Sequence, residues 1–586
     1  MTKKDIINKL NSLPKGALTK KSIKKANGKV YTYTFLQWTE DGKQKSKRID
    51  DKDIDSIKYK LDERKDFERM LVLHEYDSEG LVLDFNCTVK VGLELRLLSM
   101  GVKDYKRRFG YLKIKDYINY NTFGKVFIIY GLRRTGKTTL IHQIINDMDM
   151  DQFSKTAFIQ ITRKDTFSNF NKDLMLLQNN GYKYVFVDEV TFMEDFIEGA
   201  SLLSDIYASS GMKIVLSGTD SLGFWLTKSN ELFDRAIFMH TTFISYNEFS
   251  NVLGINGIDK YIEYGGTMSA SGARYNVFSS MESTNEYIDS SIAQNIQHSL
   301  KYYQYEGHFR HLYDLYSKGE LTSAINRVVE EINHRFTIEV LERKFKSNDL
   351  RNSSNNLRKD RNNPSTILDD IDVDEVTKRL KELLSIKDKE EQVVNIDNIH
   401  VKQIEEYLLA LDLIDNIDIV SGGFDKPDYK RIVFTQPGLR FSQAKSLVLS
   451  LKNDSYFRSL LIEVQEKVIE RILNEIKERM VEDIILLETK LTKVNKDVFK
   501  LQFSNGEFDM VVRDKESYEL ELYEIKYSSN AIISQARHLL NKEKCDYTEL
   551  HFGKITKKTV LYRGDNKIQD NVNYQNIEEY LNNLYK

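Results

Sequence analysis

The stretch VFIIYGLRRTGKTTLIHQIINDM, residues 126–148, decides the fold. Its first five residues form an apolar run typical of a buried strand, and its last eleven have the spacing of an amphipathic helix. Between them, GLRRTGKT (131–138) matches a P-loop. Backbone N–H groups of such a loop surround phosphates, and the positive end of the following helix points at them. The order of strand, loop and helix therefore predicts a nucleoside triphosphate site in an α/β domain.

Individual residues of this loop have expected roles. Lys137 reaches the β and γ phosphates of the nucleotide, and Thr138 ligates Mg²⁺. Arg133 and Arg134 either contact phosphate or are solvated. The cofactors expected from this pattern are ATP and Mg²⁺. The residues predicted to bind them are Gly131, Arg134, Thr135, Gly136, Lys137, Thr138 and Thr139.

A second apolar strand ends in two acidic residues. YVFV (184–187) leads into Asp188 and Glu189, about fifty residues after the P-loop. An aspartate at such a strand end holds magnesium directly or through water, so Asp188 is a predicted metal ligand. The adjacent Glu189 is predicted to polarise the attacking water as a general base. The alternative is that these carboxylates cap the next helix.

Two further residues are candidates for sensing or stabilising the γ-phosphate. The strand KIVL (213–216) ends in SGTD (217–220), and we expect Thr219 to be the sensor, with an ordinary strand-end turn as the alternative. Arg235 precedes a fifth strand and is predicted to act as an arginine finger on a neighbouring subunit's nucleotide. A salt bridge to Asp234 or Glu231 fits the sequence equally well.

Length and composition limit the rest of the chain. At 586 residues it is too long for one core, so roughly three to five domains are expected. A net charge of −2 requires any nucleic-acid surface to be local. Only two cysteines, Cys87 and Cys545, occur, which excludes a disulfide scaffold. Because we find neither a signal peptide nor an apolar run near the roughly 20 residues of a membrane span, we expect a cytoplasmic protein without a membrane partner.

The pattern of strands, helices and polar stretches divides the chain into parts. The first fifty residues carry thirteen Lys and Arg against four acidic residues, and two strands there turn at Asp41-Gly42. Residues 125–250 alternate strands with helices, as parallel sheets do. The predicted parts are a basic N-terminal α+β domain (1–115), a P-loop core (120–250), a helical region (251–345), a polar linker (346–369), helices with a hairpin (370–450) and a C-terminal domain (455–586).

Several motifs along the chain together carry a family resemblance. They are GLRRTGKTTL (131–140), VFVDEV (185–190), VLSGTDSLGF (215–224), FDRAIFMHTTFISYNEF (233–249), FTQPGLR (434–440), MVEDIILLE (480–488), GEFDMVV (506–512), YEIKYS (523–528) and VLYRG (560–564). On these motifs the chain resembles, over roughly residues 120–586, the prokaryotic AAA+ ATPases that carry a C-terminal restriction-endonuclease-like domain. The resemblance implies an α/β multidomain protein with a five-stranded AAA+ parallel sheet, a helical lid, a winged-helix segment and a nuclease-like fold last. One departure is YGGT (264–267), where the family often has Pro after the glycine pair.

The C-terminal domain has the residue spacing of a metal-dependent nuclease. Asp509 lies in the strand EFDMVVR, and Glu524 and Lys526 lie on one face of the next strand. Two carboxylates on adjacent strands can share a divalent ion, Mg²⁺ or Mn²⁺, while a catalytic lysine orients water beside a phosphodiester. This is the PD-(D/E)XK arrangement, and a surface ion pair is its alternative. Glu482, on the preceding helix, is expected to be a third metal ligand, and the resemblance implies Gln535 as an outer contributor.

Two segments are candidates for contact with nucleic acid. In the basic N-terminal hairpin, lysines alternate with Tyr31, Tyr33, Phe35 and Trp38, and aromatic rings of this kind can stack on bases. The alternative is that these rings form the core of the small domain. Residues 399–434 have the pattern of helix, turn and wing, a module that binds either DNA or protein.

The favoured function is a Mg²⁺-dependent AAA+ ATPase coupled to a nuclease that cleaves DNA. Two other functions fit the sequence. One is an ATP-gated DNA- or protein-binding switch with an inert nuclease fold, and the other is a signalling NTPase of the STAND type whose N-terminal module senses a ligand. The AAA+ resemblance implies a homo-oligomer.

Overall fold

The computed structural model describes residues 2–24, 30–40, 42–79, 83–122, 124–193, 195–219, 234–268, 278–302, 309–345, 378, 379, 382, 396–423, 427–569 and 571–585. Within them the strands form sheets of three, six and eight strands. The predicted linker (346–369), Asp220 and Glu231 lie outside these residues. In the described part of the chain, every helix is too short or too polar to cross a membrane.

The N-terminal part is a small sheet covered by a helix. Its elements are α1 (Lys3–Ser12), β1 (Ala17–Lys24), β2 (Val30–Glu40), β3 (Lys43–Ile49) and α2 (Ile54–Glu79). Both pairs of neighbouring strands are antiparallel, and the pairing of Glu40 with Lys43 confirms the predicted hairpin. Leu36, Ile49 and Leu61 form the core between the sheet and α2.

The central part contains five parallel strands and one antiparallel edge strand. Its elements are β4 (Thr88–Lys90), α3 (Gly92–Met100), α4 (Gly110–Asn119), β5 (Val126–Tyr130), α5 (Lys137–Asp147), α6 (Met150–Ser154), β6 (Thr156–Gln160), α7 (Phe167–Asn179), β7 (Tyr184–Asp188), α8 (Phe196–Leu202), β8 (Lys213–Gly218) and β9 (Ala236–His240). The strand order is β4-β6-β7-β8-β5-β9, in which β4 pairs antiparallel with β6. The predicted five-stranded parallel sheet with a P-loop is confirmed.

Residues 88–119 pack with this central sheet. Val89 of β4 pairs with Ile159 of β6. Tyr111 and Ile114 of α4 share a core with Phe127 of β5. The predicted N-terminal domain ran to residue 115, whereas these contacts join its last thirty residues or so to the P-loop core. Sequence alone did not reveal this, because the apolar positions of a helix do not say which core it enters.

Helices follow the central sheet, in agreement with the helical character predicted for 251–345. They are α9 (Tyr246–Leu253), α10 (Ile258–Tyr264), α11 (Met281–Tyr287), α12 (Gln294–Tyr302), α13 (Arg310–Ser317) and α14 (Leu321–Phe345), with a π-helical turn between α11 and α12. Buried residues of α11 to α14 form one core with Tyr407, Leu408 and Leu439 from later in the chain. The helical region is therefore packed against the C-terminal half.

The C-terminal part holds the eight-stranded sheet. Its elements are α15 (Asn398–Ala410), β10 (Ile414–Ser421), β11 (Tyr429–Phe434), α16 (Pro437–Ser450), α17 (Ser455–Ser459), α18 (Ile462–Thr492), β12 (Lys496–Gln502), β13 (Glu507–Asp514), β14 (Glu519–Ile525), α19 (Lys542–Phe552), β15 (Lys554–Tyr562), β16 (Lys567–Gln569), β17 (Val572–Asn576) and α20 (Ile577–Asn583). The strand order is β11-β10-β12-β13-β14-β15-β17-β16.

The hairpin β10–β11 is the edge of this C-terminal sheet. Asp418 of β10 pairs in parallel with Phe499 of β12. The sequence predicted the hairpin as the wing of a separate segment that ends at residue 450. Backbone pairing across that boundary instead joins the hairpin to the sheet that carries the candidate nuclease residues. Pairing between distant strands leaves no mark in local periodicity, which is why the sequence did not reveal it.

Three hydrogen bonds, one buried and two partly buried, join the central part to the C-terminal part. The Tyr246 N–H donates to Glu488 Oε1 at 2.6 Å, and the Tyr246 hydroxyl donates to Glu578 Oε2 at 2.8 Å. The Ile258 N–H donates to the other oxygen of Glu578 at 3.0 Å. Glu488 is fully buried, and burial raises its pKa to about 8. Helices α9 and α10 are thus held against α18 and α20 by polar contacts inside the protein.

Candidate nucleotide site and candidate nuclease-like site

Two glycines shape the loop between β5 and α5. Gly131 has a φ of +144°, and a Cβ there would lie 2.7 Å from Thr241 Oγ1. Gly136 has a φ of +85° and is the N-cap of α5. Both positions therefore require glycine. The loop ends at a helix N-terminus, as phosphate binding by backbone N–H groups requires.

Lys137 is buried beneath this loop. Its ammonium donates to the carbonyl oxygens of Gly131 at 2.8 Å and Leu132 at 2.9 Å. Burial lowers the pKa of Lys137 to about 8, although Glu189 and Asp188 oppose that shift. Hydrogen bonds to ionised acceptors are stronger than those to neutral carbonyls. The ammonium can therefore exchange the loop carbonyls for phosphate oxygens at a gain in free energy.

Thr138 and Asp188 meet at the carboxyl end of β7. The Thr138 hydroxyl donates to Asp188 Oδ2 at 2.8 Å, and the other oxygen of Asp188 accepts from the Ser217 hydroxyl. Asp188 is buried, whereas Thr138 is exposed at the mouth of the site. Hydroxyl and carboxylate oxygens are the ligands that Mg²⁺ prefers. The two predicted magnesium ligands are therefore in one place.

Glu189 and Thr219 are in direct contact. The Thr219 hydroxyl donates to Glu189 Oε2 at 3.1 Å, and the Thr219 carbonyl accepts from Asn295 Nδ2 at 2.6 Å. The backbone φ of Glu189 is +56°, a value that residues with a Cβ atom rarely adopt. Burial raises the pKa of Glu189, and Lys137 opposes that rise. Strained backbone and a perturbed carboxyl are both typical of functional positions.

The other predicted loop residues have structural contacts. The Thr135 hydroxyl donates to the Leu132 carbonyl at 2.8 Å and lies 2.9 Å from the Thr241 hydroxyl, so it braces the loop against the residue after β9. Arg134 has a φ of +62°, and its carbonyl accepts from the Met268 N–H at 2.6 Å. The side chain of Thr139, one turn into α5, is half-buried.

A cavity of about 320 Å³ opens beside Gly136 and Thr139. It lies between α5 and the chain that precedes α4, a position that the sequence did not predict. Its size and mixed lining suit a flat heterocyclic ring. The lining comprises Asp104, Tyr105, Lys106, Arg108, Gly136, Thr139, Leu140, Gln143, Val252, Leu253, Gly254 and Met268.

Arg108 is a positioning residue that the sequence did not reveal. Its guanidinium donates to both oxygens of Glu248, at 2.9 and 2.7 Å, and to the Phe243 carbonyl at 3.1 Å. It also donates to the Thr135 carbonyl in the P-loop. Arg108 thus ties the loop to α9. No local motif marks an arginine so far upstream of the loop, so only the fold could identify it.

Arg235 lies at the amino end of β9, whereas the P-loop follows the carboxyl end of the neighbouring strand β5. It precedes β9, and the amino ends of parallel strands are remote from the loops at their carboxyl ends. Its Nε donates to Asp205 Oδ1 at 2.8 Å, and 41% of its side chain is exposed. Asp234, one of the predicted partners, pairs with Lys125 instead. Arg235 is not near the nucleotide site of its own chain.

Strands β13 and β14 bring Asp509, Glu524 and Lys526 together. The Lys526 ammonium lies 3.0 Å from Asp509 Oδ2 and 2.7 Å from Glu524 Oε2. Asp509 and Glu524 are 6% and 1% exposed, unlike the members of a surface ion pair. A cavity of about 680 Å³ opens onto Asp509 and Lys526, and Arg335 and Phe336 of α14 line its other side. The three residues therefore form one site, in which the two carboxylates are buried and Lys526 is partly exposed to the cavity.

The ionisation of this site is uneven. Burial opposes ionisation of Asp509, but Lys526 and Lys500 outweigh it and lower the pKa of that carboxyl. Burial and the neighbouring Asp509 raise the pKa of Glu524. Glu524 Oε1 is buried without a hydrogen-bond partner. An additional cation beside Asp509 and Glu524 would satisfy that oxygen and favour ionisation of Glu524.

Glu482, predicted as the third metal ligand, contacts cations of the protein. Arg479 donates to its two oxygens at 2.9 and 2.8 Å, and the Lys500 ammonium pairs with it as well. The side chain of Lys500 is 2% exposed, and its ammonium lies 2.8 Å from Glu507 Oε1 and 3.7 Å from Asp509 Oδ1. Across the described residues, no group of three or more carboxylate, histidine or cysteine side chains is placed so that it could hold a metal ion. Lys500 thus contacts two of the three predicted metal ligands, Glu482 and Asp509.

Gln535 stabilises a turn. It lies in a short 3₁₀ helix (Ile533–Ala536), where its side-chain amide donates to the Asn530 carbonyl at 2.9 Å. Its side-chain oxygen accepts from the Ile532 N–H at 3.1 Å. These contacts are local, and they do not reach the three residues of the buried site.

Comparison with known protein families identifies the central part. Residues 124–250 match the model of a family described as an AAA domain. The match begins just before β5 and ends within α9, so it contains the P-loop and the residues around Asp188 and Thr219. The chain therefore carries an AAA-type ATPase domain. A search of curated proteins found no match.

A search of solved structures found matches that include the following three. PCH-2 of C. elegans is 17% identical, with a TM-score of 0.18, over 30% of this chain and 49% of that one, about half its length. The ORC1 protein of Aeropyrum pernix in complex with DNA is 12% identical, with a TM-score of 0.20, over 63% and 93%. Katanin, in a study of its self-assembly, is 14% identical, with a TM-score of 0.20, over 39% and 83%.

Proposed function

We propose that the AAA domain hydrolyses ATP with Mg²⁺ and that Lys137, Thr138, Asp188, Glu189 and Thr219 are its machinery. The observation that carries the proposal is the contact of Thr138 with Asp188, 2.8 Å apart, beside the buried Lys137. A hydroxyl, a carboxylate and an ammonium at a helix N-terminus form the set of groups that a magnesium-bound triphosphate needs.

Each of these groups has a distinct task. Lys137 exchanges the loop carbonyls for β- and γ-phosphate oxygens, and Thr138 and Asp188 hold Mg²⁺. When bound, the metal ion supplies positive charge to the phosphate oxygens. Glu189 takes the proton of the attacking water. Thr219 orients Glu189 through its hydroxyl, and the cavity beside Gly136 receives the purine base.

The Asp188→Asn variant tests the magnesium assignment. We expect ATP turnover to fall at least about tenfold, with a higher Mg²⁺ concentration at half-saturation, because an amide oxygen carries no charge. Phosphate release across a magnesium titration measures both quantities. Asp116→Asn, on the exposed face of α4, is the matched control. An unchanged magnesium dependence in Asp188→Asn would place the metal elsewhere.

Arg235 supports a homo-oligomer within this proposal. It lies 2.8 Å from Asp205 and is remote from the P-loop of its own chain, yet 41% of the side chain is exposed. An exposed arginine at the amino edge of the sheet suits contact with a neighbouring subunit's triphosphate, as an arginine finger requires. The Asp205 carboxylate would then hold the guanidinium until a neighbour binds.

We further propose that the C-terminal domain is restriction-endonuclease-like and cleaves DNA. Support comes from the burial of Asp509 and Glu524, from the contacts of Lys526 with both carboxylates and from the unsatisfied Glu524 Oε1. Asp509 and Glu524 would hold a divalent ion, which lowers the pKa of a bound water. Lys526 would orient the water that attacks the phosphodiester. ATP hydrolysis by the AAA domain would control the access of DNA to the cavity that α14 lines.

Lys500 supports a second function, an ATP-gated switch in which this domain binds without cutting. Its ammonium lies among Glu482, Glu507 and Asp509 and offsets part of their negative charge. An internal cation of this kind competes with a divalent metal ion for the same oxygens. The two functions differ in one measurable property, which is metal-dependent cleavage.

The nicking of supercoiled plasmid by the full chain separates these two functions. With ATP and either Mg²⁺ or Mn²⁺, we expect nicking that falls at least about tenfold in Asp509→Asn, because the variant loses a metal ligand. Asp497→Asn, at a partly exposed position of β12 in the same sheet that pairs with Arg513, should nick like wild type. ATP turnover should be unchanged in both. If wild-type protein leaves every DNA form intact, the switch is the correct function.

A further inference from the structure

The two faces of the N-terminal sheet have different partners. Residues that alternate along a strand lie on opposite faces. Leu36 and Ile49 face α2 and are buried against Leu61, and Trp38 packs against the same cluster. The core of this small domain therefore lies on one face of the sheet, and of the four aromatic residues that the sequence singled out only Trp38 packs in it.

The other face carries a row of aromatic rings. Tyr31, Tyr33 and Phe35 alternate along β2, and 37% of Tyr31 is exposed while the other two are half-buried. The rings of Tyr31 and Tyr33 are nearly parallel, 16° apart in tilt, with centroids separated by 6.4 Å. These rings lie outside the hydrophobic core, so they leave apolar surface exposed to solvent, which is unfavourable.

Cations lie against the same rings. The Arg48 guanidinium lies 4.0 Å from the centre of the Tyr33 ring, and the Lys21 ammonium lies 5.5 Å from that of Phe35. Lys21 pairs with Tyr33 across β1–β2, and Arg48 pairs with Phe35 across β2–β3, so all four share one face. The three strands contain seven Lys and Arg against one acidic residue, Glu40.

We propose that this aromatic face, defined as Tyr31, Tyr33, Phe35, Lys21 and Arg48, binds a single strand of nucleic acid. Phosphates meet the cations of β1 and β3, and unpaired bases stack on the tyrosine rings. The strong local surplus of positive charge in a chain of net charge −2 favours a polyanion as the occupant. Bases within a duplex are already stacked on each other, so the rings favour an unpaired strand over a duplex.

Binding of a single strand at the aromatic face rests on the proposed function, action on DNA, but does not require that the protein cleave DNA. The aromatic face belongs to the N-terminal sheet, whereas the candidate nuclease site lies in the eight-stranded sheet and the ATPase site in the six-stranded one. Binding at this face would deliver an unpaired strand to the molecule even if Asp509 and Glu524 were inert. Binding, cleavage and ATP turnover can therefore fail separately.

Fluorescence anisotropy of the full chain with a labelled 20-nucleotide mixed-sequence DNA strand, and with its duplex, tests the proposal. Tyr31→Ala/Tyr33→Ala should weaken binding of the single strand about tenfold or more, and should weaken binding of the duplex less. Tyr31→Phe/Tyr33→Phe should bind like wild type, because phenyl rings still stack. Lys21→Glu/Arg48→Glu should weaken both probes and flatten the salt dependence.

Two controls separate this face from general effects of charge and folding. Lys60→Glu/Lys65→Glu changes the charge equally on exposed positions of α2, and Tyr313→Ala removes an exposed ring from α13. Both should bind the single strand like wild type, and ATP turnover should be unchanged in every variant. Equal affinity of the double alanine variant and wild type, or the same loss in the controls, overturns the proposal, as does a wild-type chain that binds neither probe.

Discussion

Glu189→Gln is expected to leave ATP bound and to reduce turnover by about 10²- to 10⁴-fold, the range for loss of a general base. Glutamine keeps the shape of the side chain and can still accept the hydrogen bond that Thr219 donates at 3.1 Å. It cannot take a proton from water. Binding of ATP should change little, because the phosphates are held by Lys137 and the loop.

Steady-state phosphate release and a separate nucleotide titration measure the two effects of Glu189→Gln. Glu94→Gln, at an exposed position that pairs with Lys90, is the matched control and should hydrolyse ATP like wild type. Turnover near wild type in Glu189→Gln would mean that Glu189 only caps the helical turn that follows β7. Loss of binding together with turnover would mean that the change disturbs the loop.

Lys137→Ala should weaken ATP binding by about 10²- to 10⁴-fold. Two hydrogen bonds from an ammonium to charged phosphate oxygens contribute about 1.5–3 kcal/mol each. The Lys137 ammonium lies beneath Gly131 and Leu132. Among the described residues of the loop, no other ammonium reaches this position. Isothermal titration measures the affinity, and Lys172→Ala, at an exposed position on α7, is the control.

The pH dependence of binding gives a second measurement for Lys137. Burial lowers the pKa of Lys137 to about 8, so the free protein loses the ammonium proton above that pH. Phosphate binding requires the charged form, so wild-type affinity should fall between pH 7 and pH 9, by up to about tenfold per unit above the pKa. Lys137→Ala should lack this component. If ATP affinity falls equally with pH in the two proteins, Lys137 is not the group that binds the phosphates.

The nucleotide site could be predicted because the residues within each of its motifs are adjacent in the sequence. Backbone conformation and phosphate chemistry together restrict residues 131–138, and Asp188 and Glu189 follow an apolar strand directly. Arg108 and Lys500 could not be predicted in the same way. Each acts through partners that are distant in sequence, such as Glu248 and Glu482, and an isolated basic residue has no signature that distinguishes it from a solvated one.

Sheet membership escaped prediction for a related reason. The hairpin β10–β11 has the same local pattern whether it is a free wing or the edge of a larger sheet, and only its pairing with β12 decides between them. The strand β1 was missed because the lysines in ALTKKSIK interrupt the apolar alternation. The aromatic residues of β2 were recognised, but the sequence left open which of them belong to the core.

The buried contacts of Tyr246 and Ile258 with Glu488 and Glu578 limit how this protein can be recombined. A modular domain that only rests on its neighbour can be exchanged between relatives without further change. Here a graft that replaces the segment from α18 to α20 would have to bring carboxylates to the positions of Glu488 and Glu578. A graft without them would leave buried N–H groups of α9 and α10 unsatisfied, at about 1–3 kcal/mol each. The two halves should therefore have diverged together rather than been shuffled as separate parts.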